Sequence, residues 1–258
     1  MNQRKWKGDY LFLFENLVLK DFRIRYRNMS LGILWSLINP LVMMGVLTFV
    51  FQRIYGKDTP PDFPLFVLCG LVPFNLFTAA WQSGTLSIVA NTQLVKRVPV
   101  PREVVPIAAV FSTCIHLAIQ VALLLGLTLY FGFWPNWFWF WLLPLWLLYI
   151  TFVCGISLLS SAVSVFIRDT QYVVESFNVV LFYLVPIFYG FGAIPPKYAT
   201  IYQFNPVAAL VLAMRRILLE NQAPPTTLIE NMVIAAAVAL GIGLLVFGKL
   251  KRSFYEYI

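Results

Sequence analysis

Residues 20–40 read KDFRIRYRNMSLGILWSLINP. Four basic residues, Lys20, Arg23, Arg25 and Arg27, stand just before Leu31, and from Leu31 to Phe51 no residue carries a formal charge. About 20 apolar residues in a helix, at about 1.5 Å rise each, cross the hydrocarbon core of a bilayer. The stretch is therefore a cationic collar running directly into a membrane entry point. On its upstream side, residues 9–27 have helical periodicity. Leu11, Phe14, Val18 and Phe22 fall on one face, and Asn16, Lys20, Arg23 and Arg27 on the opposite one. That is the pattern of a helix lying in the membrane interface, apolar side toward lipid and basic side toward water or phosphate. Arg25 breaks the pattern by falling on the apolar side. Asp21 precedes it by four residues, the favourable order for a helical ion pair.

Composition agrees with a membrane protein. Of 258 residues, 60% are hydrophobic and 12% charged, against about a quarter charged in soluble domains. The net charge is +8. Beside membrane spans, such basic residues set orientation and attract anionic lipid rather than nucleic acid. Cys69, Cys114 and Cys154 all lie in apolar runs, without metal-ligand spacing or a disulfide pattern, and read as small core residues.

Six spans are expected, over residues 31–54, 63–90, 104–131, 142–167, 173–191 and 228–247. They form one transmembrane domain over 1–258, made of an interfacial helix (1–30), a six-span bundle (31–248) and a tail (249–258). Asn39–Pro40 lies inside the first span, and GKDTPPD (56–62) forms a short loop after it. The second span carries Pro73, Asn75, Gln82 and Gly84, residues that face protein or water rather than lipid. Loop 91–106, NTQLVKRVPVPREVVP, is the main internal polar segment. His116 and Gln120 share a face of the third span, and a lone histidine there reads as a hydrogen-bonded interior residue, with no second metal ligand nearby. Trp134, Trp137, Trp139 and Trp141 suit an interfacial aromatic belt. In the fourth span Gly155, Ser157, Ser160, Ser161 and Ser164 permit close helix packing. Residues 207–219 are helical in pattern but too short to cross, and read as a re-entrant or interfacial helix on the outside.

The distribution of lysine and arginine fixes the expected orientation. With the N-terminus inside, inner segments hold seven basic residues before the first span, three between spans two and three, Arg168, and three in the tail, 14 of 19. Both termini are then cytoplasmic. No nucleotide-binding GxxxxGK[ST] motif, paired intramembrane carboxylates or catalytic constellation is present. The chain has no energy source of its own, so it is either a passive scaffold or driven by a separate subunit.

The opening RYR…LGILWSLINP resembles the permease subunits of type-2 ABC exporters of O-antigen, teichoic acid and related cell-surface polysaccharides. KRVPVPREVVP, FIRD at 166–169, VPIFYGFGAIPP and FNP (204–206) extend the resemblance over nearly the whole chain. It implies a homodimer joined to two ATP-binding cassette subunits, which hold ATP and Mg, in the bacterial inner membrane. The substrate implied is a glycan on an undecaprenyl diphosphate carrier. Arg23, Arg25 and Arg27 would meet the diphosphate by charge-assisted bonds. Asn91, Gln93, Lys96, Arg97 and Arg102 would contact the ATPase. Pro195, Pro196, Tyr198, Asn205 and Pro206, in re-entrant helices between spans five and six, would form an external gate. A permease for teichoic acid, capsule, lipid or drug, a membrane-embedded glycan transferase and a non-transporting scaffold are the competing readings.

Overall fold

The computed structural model describes residues 9–27, 29–55, 59, 60, 62–98 and 100–257. The first eight residues, and Lys57, Asp58 and Pro61 of the loop after the first span, lie outside them. Every element among the described residues is helical. They are α1 (Tyr10–Tyr26), α2 (Trp35–Thr48), α3 (Phe63–Ala90), α4 (Thr92–Arg97), α5 (Val104–Tyr130) and α6 (Leu142–Phe166). There follow α7 (Thr170–Leu184), α8 (Pro196–Phe204), α9 (Pro206–Leu218), α10 (Thr226–Leu250) and α11 (Phe254–Tyr257).

Five stretches are long and apolar enough to cross a membrane: Gly32–Ile54, Phe63–Ala90, Val104–Tyr130, Trp137–Phe166 and Thr226–Ser253. They coincide with expected spans one to four and six. The first is composite, with a 3-10 turn (Gly32–Leu34) before α2 and a π-helical turn (Phe49–Ile54) after it. The expected span over 173–191 differs. α7 ends at Leu184 after 15 residues, about 22 Å, against a hydrocarbon core of about 30 Å. Pro186 is the cause. A residue before proline is driven out of the helical region, and Val185 is extended, with ψ 135°.

α3 is the central helix. Of its most apolar 18-residue window 72% is buried, against 11% for Gly32–Ile54 and 17% for Thr226–Ser253. It packs on α2, α5, α6, α7 and α9. α6 lies between α3 and α10, and its small residues face both. A Cβ on Gly84 of α3 would come 2.5 Å from Ser157 Cβ. On the other side, a Cβ on Gly155 would lie 2.4 Å from the Ala239 carbonyl carbon, and one on Gly243 2.2 Å from the Gly155 carbonyl oxygen. Thr85 and Ser160 hydroxyls bond at 2.8 Å, and Ser164 donates to the Thr85 carbonyl at 2.7 Å. Without a hydrophobic drive between helices in lipid, close backbone approach and such bonds hold the bundle.

The bundle has two chemically distinct ends. At one, Lys20 of α1 donates to Asn91 at the end of α3. There Arg102 donates to the Lys251 carbonyl, Lys251 pairs with Glu103, and Phe166 packs on Phe254 and Tyr257. At the other, Asn136 donates to Asn221 at 2.6 Å, and Asn231 of α10 donates to the Gln203 carbonyl of α8 at 3.2 Å. Basic residues of α1 and α4, Arg102 and the C-terminal segment thus share one end, as the charge count anticipates.

Gly155→Leu is expected to force α6 and α10 apart, costing about 1–3 kcal/mol of the kind overpacking imposes. Gly126→Leu, at a position where a Cβ meets nothing within 4 Å, should cost little. The apparent melting temperature of the purified protein in detergent, read by size-exclusion chromatography, separates the two.

Candidate functional site

A cavity of about 750 Å³ lies where the C-terminal turn of α1 meets the start of the first span and the middles of α3 and α5. Arg25, Tyr26, Ser36, Asn39, Asn75, Thr78, His116 and Gln120 contribute its polar groups, and Trp35 a large aromatic face. Arg25 is the one formally charged residue in its described lining; none is acidic. Such a site favours an anionic or hydroxylated group.

Local structure fixes each wall. α1 begins on Asp9, whose carboxylate accepts from Leu11 N (2.8 Å) and Phe12 N (3.3 Å), an N-cap arrangement. It packs on α5 through Leu13, Phe14, Leu17 and Val18, in a cluster with Ile88, Val105, Ala108 and Phe254. Leu17 is the buried centre of that face, whereas Leu11, expected there, is 78% exposed. Toward its end α1 reaches His116, about 18 Å along α5. The Tyr26 hydroxyl meets His116 Nδ1 at 2.5 Å, and Phe22 stacks on the imidazole with centroids 5.4 Å apart. Opposite, Gln120 donates to the Ser36 carbonyl at 3.1 Å, binding α5 to the start of α2. The chain turns between α1 and α2 at Gly32, whose φ of +49° suits glycine.

Of the three arginines expected at a diphosphate, the structure brings only Arg25 to the cavity; Arg23 and Arg27 are exposed on the other side of α1. Arg25's place on the apolar side of the wheel is what carries it inward. Its expected ion pair with Asp21 does not form. Asp21 pairs with Lys20, at 3.5 Å. Burial pulls the Arg25 guanidinium below its ordinary value, opposed by Tyr26 and Asp21, and an arginine remains charged at neutral pH. Burial likewise raises the Tyr26 hydroxyl, with Arg25 opposing.

The polar loop after α3 divides in two. Asn91 and Arg102 are internal ties. Asn91 accepts from Lys20 and donates to the Ser87 carbonyl at 2.8 Å, and Arg102 holds the Lys251 carbonyl and lies over the Phe254 ring. Gln93, Lys96 and Arg97 are exposed on α4, a short helix where the sequence suggested a loop.

At the opposite end, Pro195 and Pro196 begin α8, which sequence periodicity did not reveal. Asn205 caps α9, its side chain accepting from Val207 N at 3.0 Å, and Pro206 takes the first helical position. Tyr198 is exposed, beneath the Lys197 ammonium. The residue that sequence reading missed is Arg215 of α9, 4% exposed. It donates to the Phe66 carbonyl (3.0 and 3.2 Å), the Ile187 carbonyl (2.7 Å) and the Tyr189 carbonyl (3.5 Å), and stacks 3.3 Å above the Phe66 ring. Its one visible signal is a cation in a short apolar helix.

Among the described residues, no three His, Cys, Asp or Glu side chains gather. A multi-pass helical protein with a polar cavity beside its basic end has the build of a transport subunit. The chain belongs to the ABC-2 type transporter family, whose model matches residues 13–219. It is 30% identical over 258 residues, 98% of this chain and 99% of the relative, to the O-antigen export system permease protein RfbA of Klebsiella pneumoniae. It is 26% identical, over 96% of each chain, to the RfbA permease of Myxococcus xanthus. To the polysialic acid transport protein KpsM of Escherichia coli it is 27% identical, over 90% of this chain and 91% of that one.

Arg25→Ala should lower transport about tenfold or more, the loss of one charged hydrogen-bonding partner, while Arg23→Ala should stay near wild type. Surface-glycan levels in cells with matched permease expression check this; equal effects would remove Arg25 from the site.

Proposed function

We propose that this chain is the membrane subunit of an ATP-driven exporter that moves an O-antigen-like polysaccharide, carried on undecaprenyl diphosphate, from the cytoplasm to the outer face of the bacterial inner membrane. The observation that carries the reading is the end-to-end similarity to O-antigen export permeases, joined to a cavity whose described lining holds Arg25 and no acidic residue. Two copies would work with two ATP-binding cassette subunits, which hold ATP and Mg. The termini are cytoplasmic in this reading, because the basic end faces inward. α7 and the unwound 185–190 segment together make a sixth, broken crossing, and α8 and α9 lie at its outer end as the gate.

The chemistry follows from the side chains. The Arg25 guanidinium offers planar paired donors that match phosphate oxygens, and Arg23 and Arg27 attract the headgroup from the surface. Tyr26, Asn39, Asn75 and Gln120 supply hydrogen bonds that sugar hydroxyls can exchange. Exposed Gln93, Lys96 and Arg97 on α4 present the coupling surface to the ATPase, and the internal ties of Asn91 and Arg102 make that surface rigid with α1 and the C-terminal helix. A capsule-type glycan is the second reading, favoured by the similarity to KpsM. A transferase reading has no group of three His, Cys, Asp or Glu side chains among the described residues to support it.

The test is reconstitution of the chain with its ATPase in proteoliposomes loaded with the lipid-linked glycan. ATP-dependent appearance of glycan on the trans side is expected, and transport by the chain alone, without any nucleotide hydrolysis, would refute the reading. In the same system, the double substitution Lys96→Ala and Arg97→Ala should leave basal ATP hydrolysis in place while reducing its stimulation by substrate severalfold.

A further inference from the structure

A second cavity, of about 790 Å³, lies at the opposite end of the bundle, between the turn before α3, the 190–192 bend, α8, α9 and the start of α10. Its size is that of a small-molecule site. Its charges largely cancel or are already committed. Arg216 and Glu220 pair across one turn of α9 at 3.5 Å, and the Arg215 donors are spent on main-chain carbonyls. Two polar groups remain available. Asp62 precedes α3 in the left-handed region, φ 53°, yet its carboxylate does not cap the helix and has no hydrogen bond or ion pair among the described residues. The half-buried Gln203 accepts from Asn231 through its main-chain carbonyl, which leaves its amide side chain free among the described residues. Phe133 and Phe191, both half-exposed, supply aromatic surface.

An available carboxylate disfavours an anionic headgroup, and a single one is too few for a hard cation, which takes several oxygens. A carboxylate and a planar amide beside ring faces suit a neutral polyhydroxylated ligand: vicinal hydroxyls donate to the carboxylate, and the apolar face of a pyranose lies on an aromatic ring. From this geometry we infer that the outer cavity is a saccharide site, within each protomer, that takes the leading sugar residues of the glycan as they emerge. The inference rests on the export reading above. Gly192 borders the cavity, exposed and with nothing within 4 Å of where a Cβ would lie, so a tryptophan there adds bulk at its rim without a clash.

The experiment measures binding by isothermal titration calorimetry to the full-length chain, with its ATPase partner, in lipid nanodiscs. The probes are oligosaccharides of about two to four residues, a length set by the cavity, cut from the cell's own surface glycan, with isomaltotriose as the unrelated sugar. Saturable binding of the native fragments is expected. Asp62→Ala and Gln203→Ala should each weaken it about tenfold or more, and Gly192→Trp should abolish it while the protein keeps its elution profile. Failure of the native fragments to bind a complex that exports its glycan overturns the site and leaves the export reading intact. Binding unchanged in all three variants also overturns it. Binding lost in the variants, in a complex that does not export, keeps the site and removes the export reading.

Discussion

A helix broken within a membrane protein leaves carbonyl groups that hydrocarbon cannot satisfy, and each costs several kcal/mol if left bare. Here the break at Pro186 is met by the Arg215 guanidinium, which bridges the carbonyls of Ile187 and Tyr189 to that of Phe66 on the central helix. Much of the far end depends on that junction. Gly70 must lack a side chain there, because a Cβ would come 2.9 Å from Ile187 Cα. With the unwound segment pinned against α3, α8 and α9 are held beside the start of α10, and the second cavity has its walls. An arginine suits this work because its donors are fixed in a plane and its charge persists. The Phe66 ring beneath it offers the cation a favourable face, and among the described residues no carboxylate pairs with it.

The opposite end is organised by a different interaction. α1 packs on α5 through Leu13, Leu17 and Val18, and its last turns climb along α5 until Tyr26 meets His116. The climb brings Arg25 off the surface and into a cavity whose other polar groups come from α1, α2, α3 and α5. A surface cation is screened and weakly effective, whereas the same cation partly withdrawn from water discriminates strongly by charge. Only one of the three neighbouring arginines is so withdrawn.

The long helices were legible because their apolar runs are bounded by charge, proline or polar turns. α3 was expected over 63–90 and observed from Phe63 to Ala90, and the small residues expected to pack closely in α6 do so against both Gly84 and Gly243. The short elements were not. Hydropathy continues smoothly through Pro186, so an apolar count carries α7 past the point where backbone chemistry stops it. α8 has too few residues for a helical period to rise above background. The helical wheel placed Leu11 and Val18 together but could not say which part of a wide apolar face touches α5, and contact settles on Leu17. Arg215 was obscured for another reason: its partners are main-chain carbonyls, which exist at every position and leave no sequence mark.

The two ends are joined to the exposed basic surface by contacts that leave little slack. α4 follows α3 directly, and Asn91 at that corner holds Lys20 of α1 while also bonding back to Ser87. α1 is a continuous helix from Lys20 to Tyr26, and Tyr26 is fastened to His116 on the cavity wall. On the other flank Arg102 and Glu103 hold Lys251 at the end of α10, and α10 packs tightly on α6 through Gly155 and Gly243. A displacement applied at α4 therefore has rigid elements on both sides through which to act, one ending at the cavity and one at the helix pair that supports α3. Packed interfaces of this kind shift between discrete arrangements rather than deform smoothly. Exposed charge on α4, with tied residues before and after it, is what the proposed coupling to a separate ATPase rests on.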